Sequence, residues 1–532
     1  MAPTPVPFSR PVLTGSLLAT LFCTPPALTP APGQARAKPA LLLFITVDQL
    51  REDYLEKWRP QFTGGLKLLL DGGAFFTDGH QDHAITETAP GHASTMSGRF
   101  PRSTGISRNL AGVNNDPNAP LLGTTGLSAS PFRFRGTTLT DWLTAADPRT
   151  RALSVSVKDR GAILPIGRSK QQVYWFPGTI FTTSKYYADT LPAWVNAFNA
   201  RQLPQRLAGR TWDLLLPAAS YPEADSVPIE NGGRNFLLPK RVPEDSAVAG
   251  RYAPATPFMD EILAALALDG VTQLGIGKGP ETDVLAVSFS STDYIGHAYG
   301  PDSREIHDQL LRLDRTLGRL LDSLFVLRDR NSIIVALTAD HGVTPFPELS
   351  QSRYSPPPRR VDVAPALAAA RAVFARGKAD TALVDLESGA LLIERRGEPP
   401  ALVGVAADSF VAVARRIPGV LLAERFGALA RRDLGKDAIA RRWVQMFAPD
   451  VPVEAVVTLT AGSYWSSYPV AMHGTPHPDD SHVPILFFGA PFKPGRYAEF
   501  VRTVDIAPTL AQVLGVTPSE PLDGRPLTAA IK

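Results

Sequence analysis

Four short apolar runs, rich in β-branched residues, are the feature that most constrains the fold of this 532-residue chain. They occupy positions 40–47, 283–289, 332–337 and 483–488. Continuous runs of this length are typical of strands buried on both faces, as in a parallel or mixed sheet that helices cover. Between them, 303–328 carries leucines at helical spacing, and Val504 begins a second helix that ends near Gly515. The sequence therefore predicts an α/β fold: a three-layer α/β/α sandwich around a mostly parallel central sheet, with inserted cap segments.

Aspartates and histidines stand next to the ends of these runs. The six candidates are Asp48 after the first run, Asp293 and His297 after the second, Asp340 and His341 after the third, and His473 before the fourth. Open α/β sheets bind their ligands at the carboxyl ends of parallel strands. Two metal ions with nitrogen and oxygen ligands need about three protein ligands each. The pattern indicates a site for two metal ions, with His477 and His482 as competitors of His473 for the last position.

Two regions are expected to be additions to this core. Residues 168–260 are rich in aromatic residues, proline and asparagine, and residues 352–468 are rich in alanine and arginine with strand and helix signals of their own. We therefore expect a core formed by 38–351, including the insertion at 168–260, and completed by 469–532. The segment 352–468 is predicted to be an inserted accessory α/β cap.

The first 37 residues have the features of a cleaved secretory signal peptide. Arg10 provides the positive charge, a short apolar stretch follows, and Ala35-Arg36-Ala37 is a suitable cleavage site before Lys38. The only cysteine, Cys23, lies in this segment, which excludes disulfides and thiol catalysis in the remainder. No other stretch is apolar enough to span a membrane. We expect a periplasmic or secreted protein without stable membrane insertion.

The balance of charge gives no sign of a nucleic-acid partner. The formal net charge of the full chain is only +3, and no run of lysine and arginine is present. Nucleic-acid-binding proteins usually carry such a run or a basic face. We therefore expect small-molecule partners, while the oligomeric state is not indicated.

Thr88 lies in Thr86–Ser94, where a sharp turn leads into an apparent helix. A threonine hydroxyl is a poor nucleophile until its proton is removed, and a metal ion is one means of removing it. The simpler interpretation is a helix N-cap, because Pro90 follows near the first helical turn. The metal-ligand candidates favour Thr88 as the nucleophile of metal-assisted phosphoryl transfer, through a covalent phosphothreonine. Thr86 is the alternative nucleophile.

Five motifs in this order resemble the alkaline phosphatase superfamily, most closely its phosphate-irrepressible branch, which uses a threonine nucleophile. They are Val47-Asp48, Thr88-Ala89-Pro90-Gly91-His92, Thr292-Asp293-Tyr294-Ile295-Gly296-His297, Ala339-Asp340-His341-Gly342 and His473-Gly474. The resemblance covers about 40–345 and 469–528. It implies that Asp293, His297 and His473 hold one zinc ion, and that Asp48, Asp340 and His341 hold the other, which Thr88 completes. It also implies that His92 orients the turn without binding metal.

Lys158 and Arg160 alternate with Asp159 after a predicted strand, so in extended backbone both would point to one side. Arginine can bind two phosphate oxygens at once, and lysine adds a point charge. The resemblance implies that this pair, with Asn109, binds the phosphoryl oxygens of a monoester. The simpler interpretation is a charged surface cluster.

The predicted function is therefore that of a zinc-dependent alkaline phosphatase, a phosphoric monoester hydrolase that acts on small-molecule phosphomonoesters. Manganese or cobalt would also suit the predicted ligands. A phosphodiesterase or nucleotide pyrophosphatase on the same fold is the first alternative, and an inactive protein that binds phosphate compounds is the second. A sulfatase is not expected, because its C/S-x-P-x-R motif is replaced here by Thr88.

Overall fold

A computed structural model describes residues 38–466 and 469–532 of the chain. The predicted signal peptide, with Cys23, lies outside the described residues. In the described part, no helix is long and apolar enough to cross a membrane.

The strands of the described residues form one large sheet and three smaller ones. In chain order they are β1 Leu41–Val47, β2 Ala74–His80, β3 Ala152–Ser156, β4 Gln172–Trp175, β5 Thr211–Trp212, β6 Lys240–Arg241, β7 Asp283–Phe289, β8 Ile333–Thr338, β9 Arg360–Val361, β10 Val384–Glu387, β11 Ala390–Ile393, β12 Val420–Arg425, β13 Val453–Leu459, β14 Tyr464–Trp465, β15 Ile485–Phe488 and β16 Gly495–Arg502.

The helices lie between these strands. In chain order they are α1 Glu52–Lys57, α2 Gly65–Gly72, α3 Thr88–Ser97, α4 Pro101–Thr104, α5 Leu139–Ala146, α6 Asp159–Ile163, α7 Ala193–Ala200, α8 Ser246–Tyr252, α9 Phe258–Leu274, α10 Ser291–Tyr299, α11 Arg304–Leu327, α12 Ala364–Arg376, α13 Pro400–Ala414, α14 Phe426–Leu429, α15 Ala438–Val444, α16 Pro478–Ser481 and α17 Ile506–Leu514.

The large sheet has eight strands in the order β16-β2-β15-β8-β1-β7-β3-β4. All neighbouring pairs are parallel except those of β15, which runs antiparallel to β2 and β8. The prediction of a mostly parallel central sheet is therefore confirmed, and each of the four apolar runs contains a strand of it. Its edge strand β4 comes from the first residues of the range 168–260.

Side chains of β1 alternate between two hydrophobic cores, one on each face of the sheet. Leu41, Leu43 and Ile45 pack into the core that contains residues of α2, α9 and α11. Leu42 and Phe44 pack into the opposite core, which contains residues of α3, α5 and α17. This alternation follows from the strand period of two. Because both faces are covered by helices, the three-layer arrangement is confirmed.

Residues within 352–466 form a smaller antiparallel sheet in the order β10-β11-β13-β12. One face packs against α12 and α13 in a separate hydrophobic core. The other face packs against α14 and α15. Since β15 and β16 follow this region in the chain and return to the large sheet, the main core is built from segments on both sides of it.

Candidate metal centre

The candidate ligands lie at the carboxyl end of the parallel strands. Asp48 follows the last residue of β1, and Asp340 and His341 come after β8. Asp293 lies in the first turn of α10, which begins two residues after β7. Because β1 is hydrogen-bonded to both β7 and β8, these segments end side by side. The candidate ligands therefore lie at the carboxyl edge of the sheet, where parallel α/β sheets usually bind ligands.

Asp48, Asp340 and His341 form a group that we call the deep cluster. None of the three has any exposed surface. Their ligand atoms lie within 4.8 Å of one another, and His341 Nε2 is 3.5 Å from Asp48 Oδ1 and 3.6 Å from Asp340 Oδ2. Asp48 Oδ1 is buried without a hydrogen-bond partner. An unsatisfied buried carboxylate oxygen is costly unless a cation binds it.

Asp293, His297 and His473 form a second group, the open cluster, within the same 4.8 Å limit. His297 Nε2 lies 3.2 Å from Asp293 Oδ1, and His473 Nε2 lies 3.7 Å from the same oxygen. The His297 side chain is 26% exposed, whereas Asp293 is buried. This cluster is therefore the one that solvent reaches.

The three imidazole rings are oriented by backbone carbonyl groups. Nδ1 of His341 lies 2.9 Å from Gly342 O, Nδ1 of His297 lies 2.6 Å from Ala471 O, and Nδ1 of His473 lies 2.7 Å from Thr86 O. A carbonyl oxygen only accepts, so each Nδ1 carries the proton and donates. Nε2 is then the ring atom that faces the carboxylates and is left to bind a metal ion. Metal-binding histidines are usually held in this way, and the donor set fits two divalent ions.

Burial and neighbouring charges shift the pKa values of these groups. Burial, and then His341 and His297, lower the pKa of His473 well below its ordinary value, which keeps that ring neutral. Burial, followed by Asp293 and Asp340, raises the pKa of Asp48 well above its ordinary value. The Asp48 shift reports an excess of buried carboxylate charge that additional positive charge would relieve.

Lys158 supplies positive charge between the clusters. Its Nζ lies 2.7 Å from Asp48 Oδ2, 2.5 Å from Asp293 Oδ2 and 3.4 Å from Thr88 Oγ1. Burial alone would lower the pKa of Lys158, but Asp293 and Asp48 outweigh it and raise that pKa. The same contact, with His297, holds the pKa of Asp293 well below its ordinary value against the effect of burial.

The expectation that Lys158 and Arg160 alternate on extended backbone is wrong. Lys158 is the N-cap of α6, and Arg160 lies inside that helix. Arg160 Nη1 is 3.6 Å from Asp159, and its Nε has no hydrogen-bond partner. The two cations nevertheless line one cavity of about 430 Å³ together with Tyr294, and no residue of the open cluster lines it.

Thr88 is the first residue of α3, and Glu87 occupies the N-cap. The interpretation of Thr88 as an N-cap is therefore wrong. Its buried Oγ1 lies 3.4 Å from His341 Nε2 and 3.4 Å from Lys158 Nζ. The alternative nucleophile, Thr86, donates its hydroxyl to Thr475 O at 2.8 Å. The structure thus places the Thr88 hydroxyl, and not that of Thr86, against the deep cluster.

His92 and Gly91 fit the first turn of α3 against the deep cluster. His92 Nδ1 lies 2.9 Å from Thr88 O and 3.1 Å from Asp340 Oδ2, and its Nε2 lies 2.8 Å from Ser288 Oγ. A Cβ atom at Gly91 would lie 2.2 Å from Asp340 O. Only glycine allows this approach between the helix and the end of β8.

Asn109 is oriented by the same helix end. Its Oδ1 accepts a hydrogen bond from Ala89 N at 2.9 Å, so the side-chain NH₂ group is left to donate elsewhere. Its backbone N–H donates to Glu87 Oε2 at 2.7 Å. Glu87 Oε1 accepts from Ser388 Oγ at 2.6 Å, which joins the turn between β10 and β11 to the N-terminus of α3.

Two residues at the centre were not recognised in the sequence. Gln49, at φ +68°, donates from its backbone N to Asp340 Oδ1 at 3.1 Å and from Nε2 to Asp293 Oδ1 at 2.9 Å, so it joins the two clusters. Asp480 accepts hydrogen bonds from Thr475 and Thr344, which follow the His473 and His341 positions. The only signal for Gln49 is its place directly after Asp48.

The competing histidines lie elsewhere. His477 Nε2 contacts Leu459 O at 2.7 Å. His482 groups with His80 and Asp78 in a third cluster, and its ring stacks on His80 with centroids 4.8 Å apart. His473, and neither of its competitors, is the histidine that the structure brings to Asp293 and His297.

A cavity of about 450 Å³ opens beside the open cluster. Its walls come from the site, from the loop around Asn109 and from the inserted region. They consist of Glu87, Arg108, Asn109, Leu110, His297, Leu386, Glu387, Ser388, Trp465, Met472, His473 and Gly474. The deep cluster contributes no residue to these walls.

Comparisons with known proteins agree with this geometry. A family model described as type I phosphodiesterase / nucleotide pyrophosphatase matches residues 42–356. The chain is 30% identical to alkaline phosphatase PhoV of Synechococcus elongatus, over 97% of this chain and 98% of PhoV. It is also 30% identical to alkaline phosphatase PafA of Elizabethkingia meningoseptica, over 93% of this chain and 95% of PafA.

The crystal structure of wild-type PafA matches with a TM-score of 0.84 and 27% identity, over 93% of this chain and 99% of that one. A second PafA structure matches equally and carries substitutions of a threonine, an asparagine, a lysine and an arginine. That threonine and asparagine are as far apart in PafA as Thr88 and Asn109 are here, and one residue separates its lysine from its arginine, as in Lys158 and Arg160.

Proposed function

We propose that this chain, which belongs to the type I phosphodiesterase / nucleotide pyrophosphatase family, works through a covalent phosphothreonine at Thr88. The chain is a phosphoric monoester hydrolase of the alkaline phosphatase superfamily. The observation that carries the proposal is the position of Thr88 Oγ1, 3.4 Å from both His341 Nε2 and Lys158 Nζ. A hydroxyl placed between a candidate metal ligand and a cation is suited to lose its proton and attack phosphorus.

We propose that the deep cluster, completed by Thr88, would hold one zinc ion and the open cluster the other. Three histidine nitrogens with aspartate oxygens suit zinc, although manganese or cobalt would accept the same donors. Bound ions would lower the pKa of the threonine hydroxyl and neutralise charge that develops on the phosphoryl and leaving oxygens. The chain's own contribution is to fix the donors, through the three Nδ1 contacts with backbone carbonyl groups.

The reaction then has two displacements at phosphorus. The Thr88 hydroxyl gives its proton to water, and Oγ1 forms a bond to phosphorus while the ester P–O bond breaks. The departing alkoxide takes a proton from water and leaves as the alcohol. A water molecule next attacks the phosphothreonine, releases inorganic phosphate and restores the Thr88 hydroxyl. Lys158 Nζ, which lies 3.4 Å from Thr88 Oγ1, is in reach of a phosphoryl oxygen in both steps.

A monoester carries more negative charge on its phosphoryl oxygens than a diester, so additional donors favour it. We propose that Lys158, Arg160 and the free NH₂ group of Asn109 bind these oxygens. The matched spacing of a threonine, an asparagine, a lysine and an arginine that were substituted together in PafA supports this set. Lys158 also screens Asp48 and Asp293 from the incoming anion.

The test is Lys158→Ala, with Lys67→Ala as the control because Lys67 is an exposed lysine paired with Asp71 away from the site. Loss of one such contact should lower kcat/KM for a phosphate monoester by roughly 10²–10³-fold. The control should match the wild type. An unchanged rate for Lys158→Ala would remove this residue from the site, and turnover that a chelator does not affect would exclude the metal-dependent reaction.

A diesterase is the second candidate, because the matching family model includes phosphodiesterases and nucleotide pyrophosphatases. We expect the wild type to hydrolyse an aryl phosphate monoester faster than the corresponding aryl methyl diester in one buffer, after correction for the uncatalysed rates. Faster diester hydrolysis would reverse the choice. The predicted signal segment supports a periplasmic or secreted location, and small phosphomonoesters are the partners that we propose.

A further inference from the structure

The cavity beside the open cluster has an apolar wall that phosphate chemistry does not require. Leu110, Leu386, Trp465 and Met472 contribute to it. Leu110 is 76% exposed, which is unusual for a leucine next to a charged site. At about 450 Å³, the cavity falls within the usual size of small-molecule sites.

Trp465 is held rigidly at this wall. It belongs to β14, which pairs with β9, and it packs on the hydrophobic core of the inserted region. A Cβ atom at Gly389 would lie 3.2 Å from its Cζ2, so the glycine lets the edge of the indole approach the hairpin. The ring is partly exposed and also lines the cavity. A fixed, partly exposed indole is a suitable platform for a planar group.

The charges in the cavity select against a further anion. Glu387 forms an ion pair with Arg108, which neutralises both. Glu87 accepts hydrogen bonds from Ser388 and Asn109 but has no ion pair in the described residues. Because Arg108 is already paired and Glu87 adds a negative charge, the protein groups beside the apolar wall disfavour an alcohol that carries its own carboxylate or second phosphate.

We propose that this cavity binds the alcohol portion of the substrate and prefers an uncharged aromatic group, which lies against Trp465. The inference rests on the proposed function: since the deep cluster is completed by the attacking Thr88, the open cluster would face the leaving oxygen. His297 and His473 of that cluster line the cavity, so a group attached to the leaving oxygen enters it directly. The substrate class is therefore the monoesters of aromatic alcohols, and the inserted region contributes their binding surface.

The experiment compares kcat/KM for 2-phenylethyl phosphate and ethyl phosphate, both of which release a primary alkoxide. Burial of part of a phenyl ring should make the wild type prefer the phenyl ester by about tenfold or more. Trp465→Ala should reduce this ratio to near one, because kcat/KM for the phenyl ester falls by more than kcat/KM for ethyl phosphate. Trp465→Phe should keep most of the preference, because it restores an aromatic surface.

Leu127→Ala is the matched control, since Leu127 is exposed and lines the other cavity, next to Lys158 and Arg160. It should leave the ratio unchanged. A ratio that Trp465→Ala does not alter, or that Leu127→Ala alters instead, overturns the inference while the proposed function stands. Failure of the wild type to hydrolyse either ester would instead contradict the proposed function.

Discussion

The deep and the open cluster use the same residue types, yet they differ in position and access. The deep cluster has two aspartates and one histidine that are completely buried, whereas the open cluster has one buried aspartate and two histidines, and its histidines border a cavity. Thr88 lies against the first, and the apolar wall with Trp465 lies beside the second. The difference indicates a division of labour: one cluster serves the nucleophile, and the other meets the variable part of the substrate.

The sheet explains this difference. Asp48 and Asp340 follow β1 and β8, which are adjacent at the centre of the sheet and covered on both faces. The open cluster instead takes its residues from α10 and from the loop around His473, a segment that returns to the core after the insertion. Central strand ends are enclosed by their neighbours, while helices and returning loops lie at the rim.

The largest effect is expected from Thr88→Val, which keeps the β-branched shape and removes only the hydroxyl. If the deep cluster serves the nucleophile, monoester turnover should fall by roughly 10³-fold or more, as when other covalent nucleophiles are removed. Steady-state kinetics with an aryl phosphate would measure this. Metal analysis would show whether the three remaining ligands still hold the ion, and residual activity close to the wild type would assign attack to another group.

The second-largest effect is expected when one histidine of each cluster is replaced by glutamine. His341→Gln should abolish metal binding at the deep cluster. It should also lower the free energy of unfolding by about 1–3 kcal/mol, because it disturbs a fully buried hydrogen-bonded group. His297→Gln, at a partly exposed position, should weaken metal binding with little change in stability. Metal analysis after dialysis and thermal unfolding would report both. Equal losses of stability would show that the clusters do not differ in this respect.

Asp480 joins the two loops that carry the histidines, and its titration tests how firmly they are joined. Burial raises its pKa from 3.8 to about 7, so the stability it contributes is complete below the ordinary pKa and is lost as pH rises through 7. Asp480→Asn should remove this loss, on the order of 3–4 kcal/mol, between pH 4 and pH 8. Chemical unfolding at several pH values, with a chelator present, would measure it. Parallel curves for the two proteins would contradict the prediction.

The smallest effect is expected where the inserted region contacts the open side of the site. The two carboxylate oxygens of Glu87 accept hydrogen bonds from Asn109 and Ser388, and Glu87→Gln keeps only one accepting oxygen. Asn109 should then be held less firmly, and KM for a monoester should rise by about three- to tenfold. The kcat should change less. Ser388→Ala removes only the hydrogen bond from Ser388 to Glu87. If that bond is what holds Glu87 in place, Ser388→Ala and Glu87→Gln should raise KM by similar factors.

The sequence predicts the deep cluster well because its determinants are local. A buried strand must end, and Asp48 and Asp340 stand just beyond such ends. The geometry around Lys158 was not predictable in this way, since α6 starts directly after it and replaces the expected extended backbone. The Lys158 Nζ still reaches Asp48 and Asp293, because a long flexible side chain can compensate for a change of backbone direction.

The contacts made by the insertion could not be derived from the sequence. A turn at Ser388-Gly389 is a reasonable expectation for a hairpin, but its contact with Glu87 joins residues about 300 positions apart. No local pattern specifies such a partner, because it depends on how two separately packed cores meet. The role of Gln49 could not be predicted for a related reason, because its partners Asp340 and Asp293 follow two different strands.

The order of strands in the large sheet also determines when the protein can fold during its synthesis. The two neighbours of β2 in the sheet are β15 and β16. Both are synthesised only after about 400 further residues have been added to the chain. At typical rates of roughly 5–20 residues per second, β2 has no partner in the sheet for about 20–80 seconds. During that interval Phe75 and Phe76 lack their final packing, and the nascent chain depends on being kept from aggregation until its last segment is complete.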